Sequence, residues 1–429
     1  MTELFTLLTV REARKKLTPY LPAELRRSER HPLLSCLGRR LAQPVLAKEN
    51  VPGFPRSTVD GYAVRARDTF GASEGSPAYL LVKGEVGMGA APDLVVGIGE
   101  AVRVATGAML PPGSDAVVMV EYTEQVGPEG IEVARPVGVG ENVIFADEDL
   151  RAGKEVFPAN HLLRPQDLGF LAAVGEVELE VYEPLRVGII STGDELVAPW
   201  EKPEPGQVRD VNSYTLSGQV FACGGVPVLY GLVKDDFQLL RETLTRAHAE
   251  TDLVLVSGGS SVGTRDLTTR VLGELGEPGL IFHGLAARPG KPTIGAVGNG
   301  KPVFGLPGHP AAALVAFDLV VAPLLKFGSY QKIEPGAPTI PAVVSRSLAS
   351  APGREDFVRV KLRREEAILW ADPLLGKSGL LSPLVQGDGF FRIPLEKEGV
   401  AAGTPVEVYL FGTDYVLLDL EKPAVSGAG

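Results

Sequence analysis

Four short apolar runs, separated by helix-length stretches, constrain this 429-residue chain more than any other feature. They cover residues 186–191 (R-V-G-I-I-S), Val226–Val233, 252–257 (D-L-V-L-V-S) and 302–306 (P-V-F-G-L). Continuous Val, Ile and Leu over five to eight residues is the pattern of a strand buried on both faces. Strands that alternate with helices form a parallel sheet covered on both sides. The intervening stretches 212–223, 236–248, 268–275 and 311–327 carry Leu and Ala at helical spacing. Three of the four runs empty into acids: Asp194 and Glu195, then Asp235 and Asp236, then Asp266. The third run closes on Ser257, and between it and its acid lie Gly258, Gly259, Ser261 and Gly263; the fourth run ends in Pro307, Gly308, His309 and Pro310. A helix is expected from about Leu267. Open α/β sheets take ligands at the carboxyl ends of their strands, where unpaired N–H groups attract anions and a nearby acid can hold a metal against them.

Changes of texture divide the rest of the chain. Residues 1–46 read as helical, with T-V-R-E-A-R-K-K-L and L-L-S-C-L-G-R-R-L-A as amphipathic pieces, and helical sequence returns in 147–183 around Arg164-Pro165-Gln166-Asp167. Between them, 47–146 has short β-branched runs broken by Gly and Pro, the texture of an all-β insert. Residues 184–332 form the α/β domain, and 333–429 alternate as a small β domain. The fold class expected is therefore multidomain α/β plus β. A doubly wound α/β domain with a mainly parallel sheet stands at its centre, beside an N-terminal helical region that carries an inserted β domain and a small C-terminal β domain.

Composition excludes several functions. A formal net charge of −11 leaves no basic face for nucleic acid. Two cysteines, Cys36 and Cys223, without C-x-x-C or H-E-x-x-H, give neither a disulfide framework nor a zinc signature, and they fit a reducing cytoplasm. The apolar start of the chain is too short for a signal peptide, and 311–327 contains Asp318 and Pro323, so it reads as a core helix and not a membrane span. The expected partner is a small molecule.

Six strings then occur in order: S-T-V-D-G-Y-A from Ser57, T-G-A-M-L-P-P-G-S-D-A-V-V from Thr106, S-T-G-D-E-L from Ser191, S-G-G-S-S-V-G-T-R-D from Ser257, R-P-G-K-P from Arg288 and L-P-G-H-P from Leu306. Together they resemble the molybdopterin molybdenumtransferases, the metal insertases of molybdenum-cofactor synthesis, which are related to the E-domain of gephyrin. The resemblance spans nearly the whole chain. It implies an enzyme that takes adenylylated molybdopterin and molybdate, releases AMP with the help of Mg²⁺ and leaves the metal on the pterin. It also implies a homodimer of four-domain subunits, supplied by a molybdopterin adenylyltransferase and serving apo-molybdoenzymes. By matching motif it assigns catalytic roles to Asp60, Thr106, Asp149, Glu195, Asp235, Asp266, Arg288 and Lys291. Binding roles fall to Ser257, Gly258, Gly259, Ser261, Gly263, Pro307, Gly308, Pro310, Arg359 and Ser378. Metal ligands would be Glu195, Asp235 and Asp266.

The chemistry of these residue types agrees. Phosphoanhydride cleavage needs charge neutralised on phosphate oxygens, and Mg²⁺ prefers one or two carboxylates plus phosphate and water. Arg288 and Lys291 suit a tetrahedral oxyanion. Plainer roles compete: helix capping for Asp194 and Glu195, turn chemistry for Asp60 and Asp149. The chain also departs from the family: His309 replaces the usual asparagine and Ala312 the usual serine, Thr264 stands where many members have an acid, and Gly284 where some have lysine. Alternative functions are a tungstate-specific insertase, the adenylyltransferase itself, and a scaffold or pterin-binding relative without catalysis. The adenylyltransferase would lack the D-G-Y-A insert and the C-terminal β domain.

Overall fold

The computed structural model describes residues 7–258, 262–332, 339–376 and 379–411, with 262–266 and 332 as backbone only. The chain divides into two compact units, residues 28–182 and residues 1–27 with 183–429.

In the unit 28–182 a six-stranded sheet runs in the order Ala116–Met119, Gly61–Val64, Glu100–Val104, Ala78–Val86, Gly130–Val133 and Thr123–Val126. Neighbouring residues go to opposite faces. Ala63, Val102 and Val117 pack in one core, while Val64, Ala101 and Val118 pack in the other. This period of two is why the insert reads as β. The helix Pro165–Ala173 begins with proline in its first turn, as the sequence indicates, and Asp167 accepts hydrogen bonds from the Arg164 backbone and guanidinium and pairs with His161 at 2.8 Å. The Arg164 bonds hold the Asp167 carboxyl well below the usual carboxylate range. The amphipathic helix expected over 33–42 is not formed. Only the 3₁₀ turn Leu33–Cys36 appears, because Pro32 precedes it and Gly38 takes φ +74°; Cys36 and Leu41 are buried while Leu34 and Leu37 are exposed, so no continuous stripe exists.

The other unit is built on a second six-stranded sheet, ordered Val226–Val233, Arg186–Thr192, Leu253–Gly258, Lys301–Leu306, Ile294–Gly298 and Pro278–His283. The first four strands are the four apolar runs, paired in parallel. The last two form an antiparallel edge that the Gly-rich I-G-A-V-G-N-G text concealed. Val187, Ile189, Leu253 and Leu255 face one core with Leu216 and Val220 of the helix Asn212–Ala222. Ile190, Val254 and Val256 face the other, with Leu240, Leu244 and Ala247 of the helix Phe237–Glu250. The helix Val10–Leu17 also belongs here, since Ala13 and Leu17 lie in the first of these cores, whereas the sequence grouped 1–46 with 147–183. Its start is fixed by a reciprocal pair in which Glu12 N donates to Thr9 Oγ1 and Thr9 N donates to Glu12 Oε2.

The C-terminal strands Thr339–Val344, Glu355–Glu365, Ile368–Pro373, Gly389–Ile393 and Pro405–Leu410 pair around a closed ring, because the second and fourth also meet. The small β domain is thus a five-stranded barrel, which removes exposed strand edges. The two-residue strand Ala287–Arg288 adds to it in parallel beside Asp356.

Residues 310–327 form the expected core helix, 67% of it buried. It opens into a π-helical segment at Phe317–Val321. Pro323 has no N–H for the Leu319 carbonyl, and Arg14 Nε donates to that oxygen at 2.8 Å, while the Tyr330 hydroxyl serves Val320. In this segment burial pushes the Asp318 carboxyl up to about 6 from 3.8. A raised acid prefers its neutral form in the fold, so its stability penalty develops as pH climbs from about 4 to about 6 and is complete above that. Asp318→Asn is expected to gain about 3 kcal/mol over the parent at pH 8 and almost nothing at pH 4, read from denaturant melts at both values. An equal gain at both would contradict the assignment.

Candidate active site at the carboxyl edge of the α/β sheet

Strand order reverses between Arg186–Thr192 and Leu253–Gly258, because the chain leaves the first toward Val226–Val233 and then returns to the far side. The carboxyl ends at such a reversal form the ligand crevice of an open α/β sheet. Thr192 and Gly258 lie in register there, as do Ser191 and Ser257. Gly258 has φ +124°, and a Cβ on it would stand 1.9 Å from the Thr192 carbonyl oxygen. Only glycine fits, so the strand ends at Gly258 pressed against the neighbouring backbone.

Hydrogen bonds tie the four parallel strand ends together in spatial order. Thr192 Oγ1 donates to Asp235 Oδ1 at 2.8 Å, joining the first two strands. Ser191 Oγ lies 3.2 Å from Asp210 Oδ1 and 2.9 Å from Ser213 Oγ, and Ser213 N donates to the same Asp210 oxygen. Asn212 Nδ2 donates to Ser257 Oγ at 2.7 Å and to the Gly308 carbonyl at 2.8 Å, linking the third and fourth. Ser191, Asp210, Asn212, Ser213 and Ser257 are all buried. Sequence reasoning passed over Ser191, Asp210, Asn212 and Ser213 as site residues. The available signal was the polar run D-V-N-S placed at a helix start just after the strand-end acids.

The acids divide by role. Asp236 caps the helix Phe237–Glu250, accepting from Leu239 N at 2.9 Å. Asp194 caps no helix: the chain goes on into the short strand Leu196–Val197, and Asp194 Oδ1 accepts from Asp235 N at 3.2 Å. Asp235 is half-buried with Oδ2 accepting from no described residue, and Glu195 is exposed at the neighbouring strand end. Among the described residues neither belongs to a preformed three-ligand metal cage. Two carboxylates on an open edge are the donor set Mg²⁺ takes alongside phosphate and water, so the residues present fit that ion. Asp266 lies on the helix Val262–Gly273, which starts five residues earlier than the sequence indicated because its first turn is hidden in the glycine and threonine text; its side chain is outside the description. Gly263 lies on the same helix, and Gly259, Ser261 and Ser378 fall outside the described residues.

Three cations lie on the R-P-G-K-P loop and on a barrel strand of the same unit. Arg288 is exposed, with Nη1 3.7 Å from buried Asp356, and Lys291 is exposed on the same R-P-G-K-P loop. Arg359 lies three residues beyond Asp356 on the barrel strand and is buried, with Nη1 finding no partner among the described residues. Burial lowers its pKa. A buried guanidinium with an unused donor is the property of an oxyanion site. Pro307 is buried, Gly308 half-buried, and exposed His309 lies against Gly379, whose Cβ would be 3.4 Å from the His309 ring, so the L-P-G-H-P loop meets the barrel. Pro310 opens the next helix. Gly284 has φ +109°, and a Cβ there would come within 2.7 Å of Leu7, so this backbone does not accept the lysine of other members.

In the unit 28–182, Asp60 Oδ1 accepts from Thr106 N at 2.7 Å and from Thr106 Oγ1 at 2.9 Å, which lowers the Asp60 pKa. The D-G-Y-A and T-G-A motifs therefore meet. Asp149 is exposed, with its N–H on the Val51 carbonyl, and no described side-chain contact joins it to that pair.

Comparisons with known proteins agree with this layout. Residues 8–175 match the family described as MoeA N-terminal region (domain I and II), 188–326 the probable molybdopterin binding domain, and 341–411 the MoeA C-terminal region (domain IV). The chain is 37% identical to a putative molybdopterin biosynthesis protein of Methanocaldococcus jannaschii over 92% of this chain and 95% of that one. It is 32% identical to the molybdopterin molybdenumtransferase of Bacillus subtilis, covering 87% of each. A solved molybdopterin biosynthesis MoeA protein from Pyrococcus horikoshii superposes with a TM-score of 0.81 at 33% identity, over 95% of this chain and all of that one. The chain belongs to the MoeA family of molybdopterin molybdenumtransferases.

Proposed function

We propose that this transferase inserts molybdate into adenylylated molybdopterin with Mg²⁺-dependent release of AMP. The observation that carries the reading is the crevice at the strand reversal, where Asp235 is held by Thr192 and Glu195 stands exposed after the neighbouring strand, with the glycine-only position 258 opposite Thr192. Asp235 and Glu195 would hold Mg²⁺, which when bound neutralises phosphate oxygens. A water oxygen attacks phosphorus, or a molybdate oxygen does so and water then cleaves the resulting Mo–O bond; in either case the new P–O bond forms as the bridging P–O bond breaks, and AMP departs with the bridging or the attacking oxygen according to which phosphorus is attacked. Arg359, with Arg288 and Lys291, supplies donors to the oxyanion.

In this reading the protein is a cytoplasmic homodimer that receives its substrate from an adenylyltransferase and delivers its product to apo-molybdoenzymes. A solution mass of 45.4 kDa at working concentration would refute the dimer. Arg359→Met tests the oxyanion role. Removing a buried cation whose Nη1 is unpaired is expected to leave thermal stability unchanged or raised, while molybdate affinity falls at least about tenfold. Unchanged molybdate binding by calorimetry would remove Arg359 from the site.

A further inference from the structure

The amide of Asn212 has only one possible orientation. Gly308 O can only accept, so the group facing it must be Nδ2, and Oδ1 is thereby fixed as the remaining atom. That oxygen is buried and has no partner among the described residues, although the side chain is only 7% exposed. The two donations of Asn212 run to Ser257, the last residue before the glycine of the Leu253–Gly258 strand that walls the crevice, and to the L-P-G-H-P loop after the next strand, on the side away from the reversal. No other described side chain bonds to both Ser257 and the Gly308 carbonyl.

We propose that Asn212 is a positioning residue for the transfer reaction: its amide nitrogen locks the strand end at Ser257 and the L-P-G-H-P loop into one register, and so fixes the wall of the crevice that Ser257 and Gly258 form. It acts through Ser257 and Gly308 and touches no reacting atom. The inference rests on the proposed substrate only for its kinetic readout. The lock itself is a property of the free protein.

Two readouts separate these. In ligand-free protein, Asn212→Ala is expected to speed amide hydrogen exchange at Ala312 and Ala313, whose N–H groups donate to the His309 carbonyl, at least about tenfold, while the helix Phe237–Glu250 is unaffected. With adenylylated molybdopterin, KM is expected to rise about tenfold or more with the melting temperature within a few degrees of the parent. Asn212→Asp adds a signature that a bracing role would not produce. Its carboxylate repels the Gly308 carbonyl, whereas its protonated form can donate to it, so KM should recover as pH is lowered. Unchanged exchange with unchanged KM would overturn the proposal. So would a lowered melting temperature with normal KM, which marks a bracing residue only. If exchange quickens but the parent protein itself does not bind the adenylylated pterin, the proposed function falls and the lock stands.

Discussion

Gly258→Ala is expected to lower the melting temperature by about 10 °C or to prevent soluble folding, a loss of about 3–5 kcal/mol for a unit of this size. A methyl group there would lie 1.9 Å from a backbone carbonyl that cannot swing aside, on a φ of +124° that alanine rarely adopts. The neighbouring strand would have to part from Thr192, and the Asp235 contact would go with it. Thermal melts and binding of the adenylylated pterin should therefore fail together. A variant that melts normally would show that the loop leaves the sheet by another path.

Asp235→Asn is expected to do the opposite, leaving the fold intact and removing the chemistry. The amide oxygen can still accept from Thr192 Oγ1, so stability should stay within about 1 kcal/mol. The charge that would hold Mg²⁺ is lost, and AMP release should fall about a thousandfold, near 4 kcal/mol of barrier. Raising Mg²⁺ should recover part of the rate. An unaltered rate at ordinary Mg²⁺ would take Asp235 out of the metal site.

The parallel strands were legible because burial on both faces forces continuous Val, Ile and Leu, and the strand-end acids followed from the same reading. Asp60 and Thr106 were reached through motif resemblance, and the structure brings them into direct contact. Asp210, Asn212 and Ser213 were not reached. A buried polar residue is recognised by its partners, and those lie 19 to 96 positions away in the chain, beyond any periodicity. The short 33–36 turn was misread for a related reason: apolar residues at helical spacing do not reveal that Pro32 and Gly38 bracket them too tightly for a helix. The antiparallel edge strands escaped because glycine-rich text carries little strand signal.

One assay reads the proposed reaction directly. The protein is incubated with adenylylated molybdopterin, Mg²⁺ and molybdate, and AMP is followed together with activation of an apo-molybdoenzyme. The prediction is one AMP per pterin, appearing only when both Mg²⁺ and molybdate are present, with molybdoenzyme activity rising in step. Activation that requires tungstate in place of molybdate would reassign the oxyanion. Activation without AMP release, or no AMP from a protein shown to bind the adenylylated pterin, would contradict the account.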